Sequence, residues 1–170
     1  VGNAQDSVFS RVSIDGTIAA TCQCVLAGAL AFGFGRNIQD STITDCHVNA
    51  SIVARQEGAD GNGAYVAGFT DVLAGCTVER SSFSGQLEAD AINGERVRFY
   101  GFARYIDLSY QYEQGSVVRE SWVNATLQTP MLGPTWIDMY GFTDMIRGAE
   151  GEDTLVEDCY SICDVSGGTT

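Results

Sequence analysis

Hydrophobic and polar residues alternate with a period of two in five segments of the chain that align without a gap. The segments are VFSRVSIDGTIAA (8–20), TITDCHVNASIVA (42–54), TVERSSFSGQLEA (77–89), VVRESWVNATLQT (117–129) and LVEDCYSICDVSG (155–167). Their first residues are 34, 35, 40 and 38 positions apart. Such alternation is typical of a β-strand, whose successive side chains point to opposite faces. A repeat of this length built from strands predicts a stack of coils and excludes helical arrays such as ankyrin or tetratricopeptide repeats.

Three aligned positions are apolar in almost every copy and are predicted to point into the core. They hold Phe9, Ile43, Val78, Val118 and Val156 in the first column, Ile14, Val48, Phe83, Val123 and Ser161 in the second, and Ile18, Ile52, Leu87, Leu127 and Val165 in the third. A column of small residues lies between the last two and holds Gly16, Ala50, Gly85, Ala125 and Cys163. We interpret each repeat as one strand before the small residue, a second strand after it and a third strand that carries a Gly-Phe pair.

A Gly-Phe pair follows an apolar, strand-like run at four places in the chain. The four pairs are Gly33-Phe34, Gly68-Phe69, Gly101-Phe102 and Gly141-Phe142. Because glycine relieves crowding where a chain turns, the pairs predict one corner of every coil, with the phenylalanine rings stacked inside. An aromatic face that binds a ligand is the alternative interpretation.

Together these repeats predict an all-β fold, a parallel β-helix (β-solenoid) of about four full turns with a partial fifth. The chain has 170 residues, which is long enough for one ordinary domain with its own core. We divide this single domain, 1–170, into repeats at about 6–39, 40–74, 75–114 and 115–152 and a partial repeat at 153–170.

The charge balance narrows the range of partners. Twenty-two acidic residues stand against nine basic ones, all arginine, for a formal net charge of −13. Nucleic acid and anionic membrane surfaces would be repelled, and so would polyanionic sugars unless calcium bridged the charges. The longest apolar run, Cys24–Gly35, is shorter than the ~20 residues needed to cross a bilayer, so we expect no membrane insertion. The chain opens at Val1 without a signal-peptide pattern, which indicates a processed mature form or a trimmed fragment.

Cysteines and sequons favour an extracellular or cell-surface location. The six cysteines are Cys22, Cys24, Cys46, Cys76, Cys159 and Cys163. Their spacing is unlike that of zinc ligands, so disulfides of undetermined connectivity are expected in a secreted protein. Asn49 and Asn124 begin N-x-S/T sequons and occupy the same column, so both are expected to project outward. They are candidate glycosylation sites, and an unmodified asparagine ladder is the alternative.

Several of the repeats resemble a known family. The segments TLVEDCYSICDVSG (154–167) and STITDCHVNASIVA (41–54), with YVAGF (65–69) as the Gly-aromatic element, resemble the GLUG-motif family of bacterial cell-surface proteins. The resemblance implies an extracellular, adhesive or matrix-like β-solenoid without a defined active site. The chain departs from the family pattern where Val12, Ser81 and Ser121 replace cysteine, and in the insertions 103–115 and 143–153.

No catalytic or metal site emerges from the residue pattern. His47 is the single histidine, and we interpret it as an outward polar position. The segment EGADGNG (57–63) is weakly similar to a calcium loop but lacks the alternating carboxylates and closing glutamate of an EF-hand. We therefore expect a flexible glycine-rich loop and no cofactor, with calcium binding as the alternative. The acids are spread over predicted loops and turns, unlike those of β-helical pectate-lyase-like or polygalacturonase-like enzymes, and the pattern leans against an enzyme.

Two functions from different classes remain open. The first is a non-enzymatic structural or adhesive module that stacks end to end into a filament or surface layer. The second is a secreted carbohydrate-binding or polysaccharide-cleaving β-helix, with a surface polysaccharide as partner and sugar-stacking tyrosines at Tyr105, Tyr110 and Tyr112.

Stacking is suggested by a column of charges. The column holds Arg11, Asp45, Arg80, Glu120 and Asp158, so its first four members alternate in sign. Asp158 follows Glu120 and would gain an opposite neighbour if Arg11 of another molecule lay beyond it. A longer protein whose further turns cover both ends is the alternative explanation.

Overall fold

A computed structural model describes residues 2–23, 28–58, 63–91, 96–107, 115–129, 136–147 and 153–167. Every regular element in these ranges is a strand, and every strand pair is parallel. The same ranges contain no helix that is long and apolar enough to cross a membrane. The strands form four sheets, which we number I to IV in the order in which each turn of the chain visits them.

The strands are numbered in chain order, and each sheet collects every fourth strand. Sheet I holds β2 (Val8–Ser10), β6 (Thr42–Thr44), β10 (Thr77–Glu79), β14 (Val117–Arg119) and β18 (Leu155–Glu157). Sheet II holds β3 (Ser13–Cys22), β7 (His47–Gln56), β11 (Ser82–Ala91), β15 (Trp122–Thr129) and β19 (Tyr160–Gly167). Sheet III holds β4 (Ala29–Phe32), β8 (Ala64–Ala67), β12 (Arg96–Tyr100) and β16 (Trp136–Tyr140). Sheet IV holds β1 (Asn3–Gln5), β5 (Gly35–Gln39), β9 (Thr70–Ala74), β13 (Ala103–Ile106) and β17 (Thr143–Ile146).

The order of strands within the sheets confirms the predicted β-solenoid. The chain runs through sheets I, II, III and IV and then returns to sheet I one layer further along. Strands β2 to β17 make four full turns, with β1 before them and the partial fifth turn, β18 and β19, after them. The repeat length of the sequence is therefore the length of one turn.

The division of each turn differs from our interpretation of the sequence, since a turn contains four strands rather than three. The small-residue column does not separate two strands: β7 runs unbroken through Ala50. The break falls earlier, at Asp45, whose φ of 53° turns the chain from sheet I to sheet II. Small residues are needed because adjacent turns are close: a Cβ atom added at Gly85 would lie 2.1 Å from the Ala50 carbonyl oxygen. The Gly-Phe segment is likewise two strands joined at a corner.

Burial of the inward columns depends on the position of the turn along the solenoid axis. In the third column, Ile52 and Leu87 of the inner turns are fully buried, whereas Ile18 of the first turn is only half-buried. Val165 occupies the equivalent place in the last turn and is 61 % exposed. The core is therefore continuous through the middle of the solenoid and open at the two ends of its described part.

Candidate functional site

The Gly-Phe corners join sheet III to sheet IV and carry the predicted aromatic stack. Neighbouring rings of Phe34, Phe69, Phe102 and Phe142 have centroids 4.8, 4.6 and 4.7 Å apart and lie within 5° of parallel. The first three rings are buried in the core. A Cβ atom added at Gly101 would lie 1.8 Å from a carbonyl oxygen of the next turn, so the close approach of the turns requires glycine there. The first three rings are covered and offer no face to a ligand, whereas Phe142 is only partly buried.

The column of charges forms the corner between sheets I and II. All five of its residues have left-handed backbone angles, with φ between 47° and 56°: Arg11, Asp45, Arg80, Glu120 and Asp158. Arg80 Nε donates to Asp45 Oδ1 at 2.7 Å, and this hydrogen bond holds the pKa of the Asp45 carboxyl below its ordinary value. Arg80 Nη1 also lies 4.0 Å from Glu120 Oε2 on the other side. Opposite charges therefore bridge the second, third and fourth turns.

Arg11 and Asp158 lie at the two ends of this column. Arg11 is in the first turn and Asp158 in the last, and both are exposed. Within the described ranges, neither side chain forms an ion pair shorter than 4.0 Å. Among the described residues, these two opposite charges therefore have no ion-pair partner and lie at opposite ends of the column.

Among the described residues, large apolar side chains are exposed mainly in the fourth turn and the partial fifth. Of eight such residues, seven lie between residues 136 and 165: Trp136, Ile137, Ile146, Leu155, Tyr160, Ile162 and Val165. The eighth, Val8, is 78 % exposed and lies in the first turn. Inward residues of the first turn, such as Phe9 and Ile14, are only partly covered. The two ends of the described solenoid thus present apolar surface, and they form our candidate functional site.

The five described cysteines are free, so the expected disulfides are not found in this part of the chain. They are Cys22, Cys46, Cys76, Cys159 and Cys163, and Cys24 lies outside the described residues.

Two of these cysteines act as serine does at the corner after sheet I. Ser81 Oγ donates to the carbonyl oxygen two residues earlier at 2.9 Å, and Cys46 Sγ and Cys159 Sγ make the same contact at 3.4 and 3.2 Å. Cys76 is buried at the corner after sheet IV, and burial raises the pKa of its thiol to about 11. These thiols are hydrogen-bonded corner residues rather than halves of a disulfide.

Asn49 and Asn124 occupy one exposed column on the outer face of sheet II, each paired in register with Ser84. Asn49 Nδ2 donates to Asp15 Oδ1, and Ser84 Oγ donates to Asn49 Oδ1, each at 3.3 Å. Side-chain hydrogen bonds therefore join Asp15, Asn49 and Ser84 across the first three turns, and only one of these three side chains is an amide. Glycosylation of the two sequons stays a prediction.

His47 lies on the surface of sheet II, and the calcium-like loop lies partly outside the described residues. His47 is exposed, and its Nδ1 lies 2.8 Å from Ser82 Oγ in the next turn. No group of three or more histidine, cysteine, aspartate or glutamate side chains is placed to hold a metal among the described residues. Residues 59–62 of the loop lie outside them, as do Tyr110 and Tyr112. Tyr105 is described, and its ring packs against the Arg104 guanidinium group with 4.5 Å between the guanidinium carbon and the ring centroid.

A second alternating charge column lies on sheet IV and was not predicted from the sequence. Its members each stand two residues after a phenylalanine of the Gly-Phe pairs: Arg36, Asp71, Arg104 and Asp144. Arg104 Nε lies 2.8 Å from Asp71 Oδ1. Burial raises the pKa of the Asp71 carboxyl, and this effect outweighs the opposing influence of Arg104 and Arg36. Acids therefore lie on strands of sheet IV as well as in loops and turns.

Burial shields Asp71, the acidic residue in the middle of this second column, from solvent. Asp71 is 3 % exposed, and the neighbouring Tyr100, stacked on Tyr140 with ring centroids 5.4 Å apart, is 1 % exposed. Neither Asp71 nor Tyr100 offers surface to a substrate. The sequence signal that identifies the column is the constant offset of its four charged residues from the phenylalanines of the Gly-Phe pairs.

Comparison of the chain with protein-family models, curated proteins and solved structures finds no match. The resemblance to GLUG-motif proteins consequently rests on the quoted residues alone.

Proposed function

We propose that this protein is a non-enzymatic structural module of the extracellular space or cell surface whose solenoids associate end to end. The observation that carries the proposal is the apolar surface at the two ends of the described solenoid. Val165 belongs to an inward column yet is 61 % exposed, while its equivalent Leu87 in the third turn is fully buried. Covering such side chains is favourable by ~25 cal/mol per Å² of apolar area removed from water.

Backbone hydrogen bonding supports the same proposal. In each of sheets I, II and IV, the outermost strands pair with another strand on one side only within the described residues. An outermost strand presents N–H and C=O groups that can template pairing with another chain. A contact that joins the first end of one copy to the last end of another copy does not close on itself, and it therefore generates a filament.

The test measures assembly of the whole chain as its concentration rises. Analytical ultracentrifugation and negative-stain microscopy should show linear oligomers that lengthen with concentration. Val165→Glu should abolish them, because it places a charge on the apolar end. Thr126→Glu is the matched control, since Thr126 is exposed in an inner turn of the same sheet and lies on its outer face. A wild-type chain that stays monomeric at high concentration, or a Val165→Glu variant that assembles normally, would overturn the proposal.

Carbohydrate binding is the second candidate, and one observation favours it. Trp136 is 66 % exposed at the start of β16 in sheet III. An exposed indole is suited to stacking on the apolar face of a sugar ring. Retention of the wild-type chain, but not Trp136→Ala, on a column of a neutral polysaccharide would support this second function. Equal elution of both proteins would remove it.

A further inference from the structure

We infer that the contact between copies is head to tail and continues the parallel register of sheets I, II and IV. The inference rests on the proposed end-to-end association and specifies its polarity and alignment. It starts from the strands at the two ends: β2, β3 and β1 at the first, and β18, β19 and β17 at the last. A second copy placed one strand spacing, ~4.8 Å, beyond the last turn brings these strands together in pairs. Sheet III, which has four described strands, is interrupted by one layer.

The register inside the chain fixes which residues would meet. Each sheet keeps its columns in line through all of its turns, so that Val8 is in line with Thr42, Thr77, Val117 and Leu155. Continuing this column brings Val8 of the second copy onto Leu155. Val8 is 78 % exposed and Leu155 is 42 % exposed, whereas the second and third turns carry threonine at this position. The outermost turns of the column thus carry apolar residues that match each other in this register.

The inward columns match in the same alignment. Ile18 of the second copy lies over Val165, because Ile52, Leu87 and Leu127 already connect these two positions within one chain. Phe9 lies over Val156 for the same reason. The core of one copy therefore continues into the core of the next. Tyr160 and Ile162 alternate with the inward residues of β19, and the contact leaves their outer surface exposed.

Charge selects head-to-tail polarity. Continuing the corner column places Arg11 of the second copy beside Asp158, and both residues have the same left-handed backbone, with φ of 56° and 51°. A tail-to-tail contact would instead pair two last turns that each carry Glu157 and Asp158 and contain no arginine between residues 153 and 167. Opposite charges on adjacent strands stabilise a sheet, and like charges destabilise it.

A ladder of hydrogen bonds at the corner between sheets IV and I also favours head-to-tail contact. Within the chain, the backbone N–H of one turn donates to the hydroxyl of the next: Ser7 N to Ser41 Oγ at 3.1 Å, and Cys76 N to Ser116 Oγ at 3.0 Å. Ser7 Oγ donates to the carbonyl oxygen of Gln5, two residues earlier, as Ser41 does in the second turn. In the proposed register, Ser7 Oγ lies where it would accept the backbone N–H of the last turn of the preceding copy.

Disulfide trapping tests the register. The background chain carries Cys22→Ala, Cys24→Ser, Cys159→Ser and Cys163→Ala, and it retains the buried cysteines at 46 and 76. Ser10→Cys and Glu157→Cys are made in separate molecules, because Ser10 of one copy would lie over Glu157 of the other. Adjacent strands bring Cα atoms within the 4.4–6.8 Å range that a disulfide spans. After mild oxidation, the mixture of the two variants should give cross-linked dimers.

The controls separate the register from association itself. Ser10→Cys mixed with Leu155→Cys is displaced by two residues and should give little cross-linking. Dimers of Glu157→Cys alone would indicate tail-to-tail contact and overturn the inference. Assembly of the background chain without Ser10–Glu157 cross-links would overturn the register but leave the proposed function standing. If neither the wild-type chain nor the background chain assembles, both the proposed function and the register inference are overturned.

A charge exchange provides a measurement that does not depend on cysteine. Arg11→Glu and Asp158→Arg should each reduce assembly at the concentration where the wild-type chain is half assembled. The double variant should recover it, because the opposite pair is restored in reversed orientation. If each single variant assembles as readily as the wild-type chain, or if the double variant is no better than the single ones, the proposed charge contact is wrong.

Discussion

Replacing one ring of the phenylalanine stack tests how much the buried, stacked rings contribute to the stability of this solenoid. Phe69 is fully buried, and its ring lies between those of Phe34 and Phe102 with centroids 4.8 and 4.6 Å away. Phe69→Ala removes a buried side chain and leaves a cavity, so we expect a loss of about 3–5 kcal/mol in the free energy of unfolding. Phe69→Leu retains most of the apolar volume but loses both ring contacts, and should cost about 1–2 kcal/mol.

The last ring of the same column provides the matched control. Phe142 is only partly buried and, within the described residues, stacks on one ring, that of Phe102, at 4.7 Å. Phe142→Ala should therefore cost roughly half as much as Phe69→Ala, about 1.5–2.5 kcal/mol.

Urea unfolding followed by far-UV circular dichroism measures these differences, provided that the dependence of the free energy on urea concentration is unchanged. The measurement is made at a protein concentration low enough to keep the chain monomeric, since assembly would add stability to the last turn. If Phe69→Ala and Phe142→Ala cost the same, the assignment of inner and outer turns is wrong. If Phe69→Leu costs nothing, the parallel rings contribute no more than their volume.

Three further predictions concern other parts of the structure. Asp107 is fully buried, and its carboxylate accepts backbone N–H groups from Gly75 and Ser116, so Asp107→Ala should cost about 2–6 kcal/mol in urea unfolding by leaving both unpaired. Cys76, whose pKa is raised to about 11, should resist alkylation at pH 8 in the folded protein and react after unfolding, as read by mass spectrometry of the labelled peptide. The lowered pKa of Asp45 means that its pairing stabilises the fold above the ordinary aspartate pKa, about 4, and that this contribution is lost as pH falls through the lowered value. NMR titration should show the pKa of Asp45 rising in Arg80→Ala.

The sequence was sufficient to predict the repeat, the inward columns and the phenylalanine stack, because each repeats a side-chain type at a constant interval. The strand boundaries were harder. Arg80 and Glu120 adopt left-handed backbone angles at the corner between sheets I and II, and neither residue type signals such a turn as glycine or asparagine does. The corner was consequently missed, and one strand was divided at Ala50, where only small size was required.

The pairing of Asp71 with Arg104 was missed for a different reason. Neither residue is unusual in its own segment, and they lie 33 positions apart in the chain. They meet because each stands two residues after a stacked phenylalanine, and this becomes visible only when the Gly-Phe segments are aligned as carefully as the alternating ones. Side chains at equivalent positions of successive repeats are neighbours in a solenoid. The pairing of a charged residue can therefore be predicted only by comparing it with the residues at the same position in the adjacent turns.

The same rule supports the proposed contact between the ends of this solenoid. In a stack of repeats, stability is close to a sum of terms for each turn and for each contact between adjacent turns. An inner turn makes two such contacts, whereas the last turn makes one within the described chain, which is why Leu87 is fully buried and Val165 is not. A head-to-tail neighbour would supply the missing contact with the same columns and the same register that already join turns within the chain. The interface therefore requires no surface specialised for binding, only complementary charges such as Arg11 and Asp158 to select its polarity.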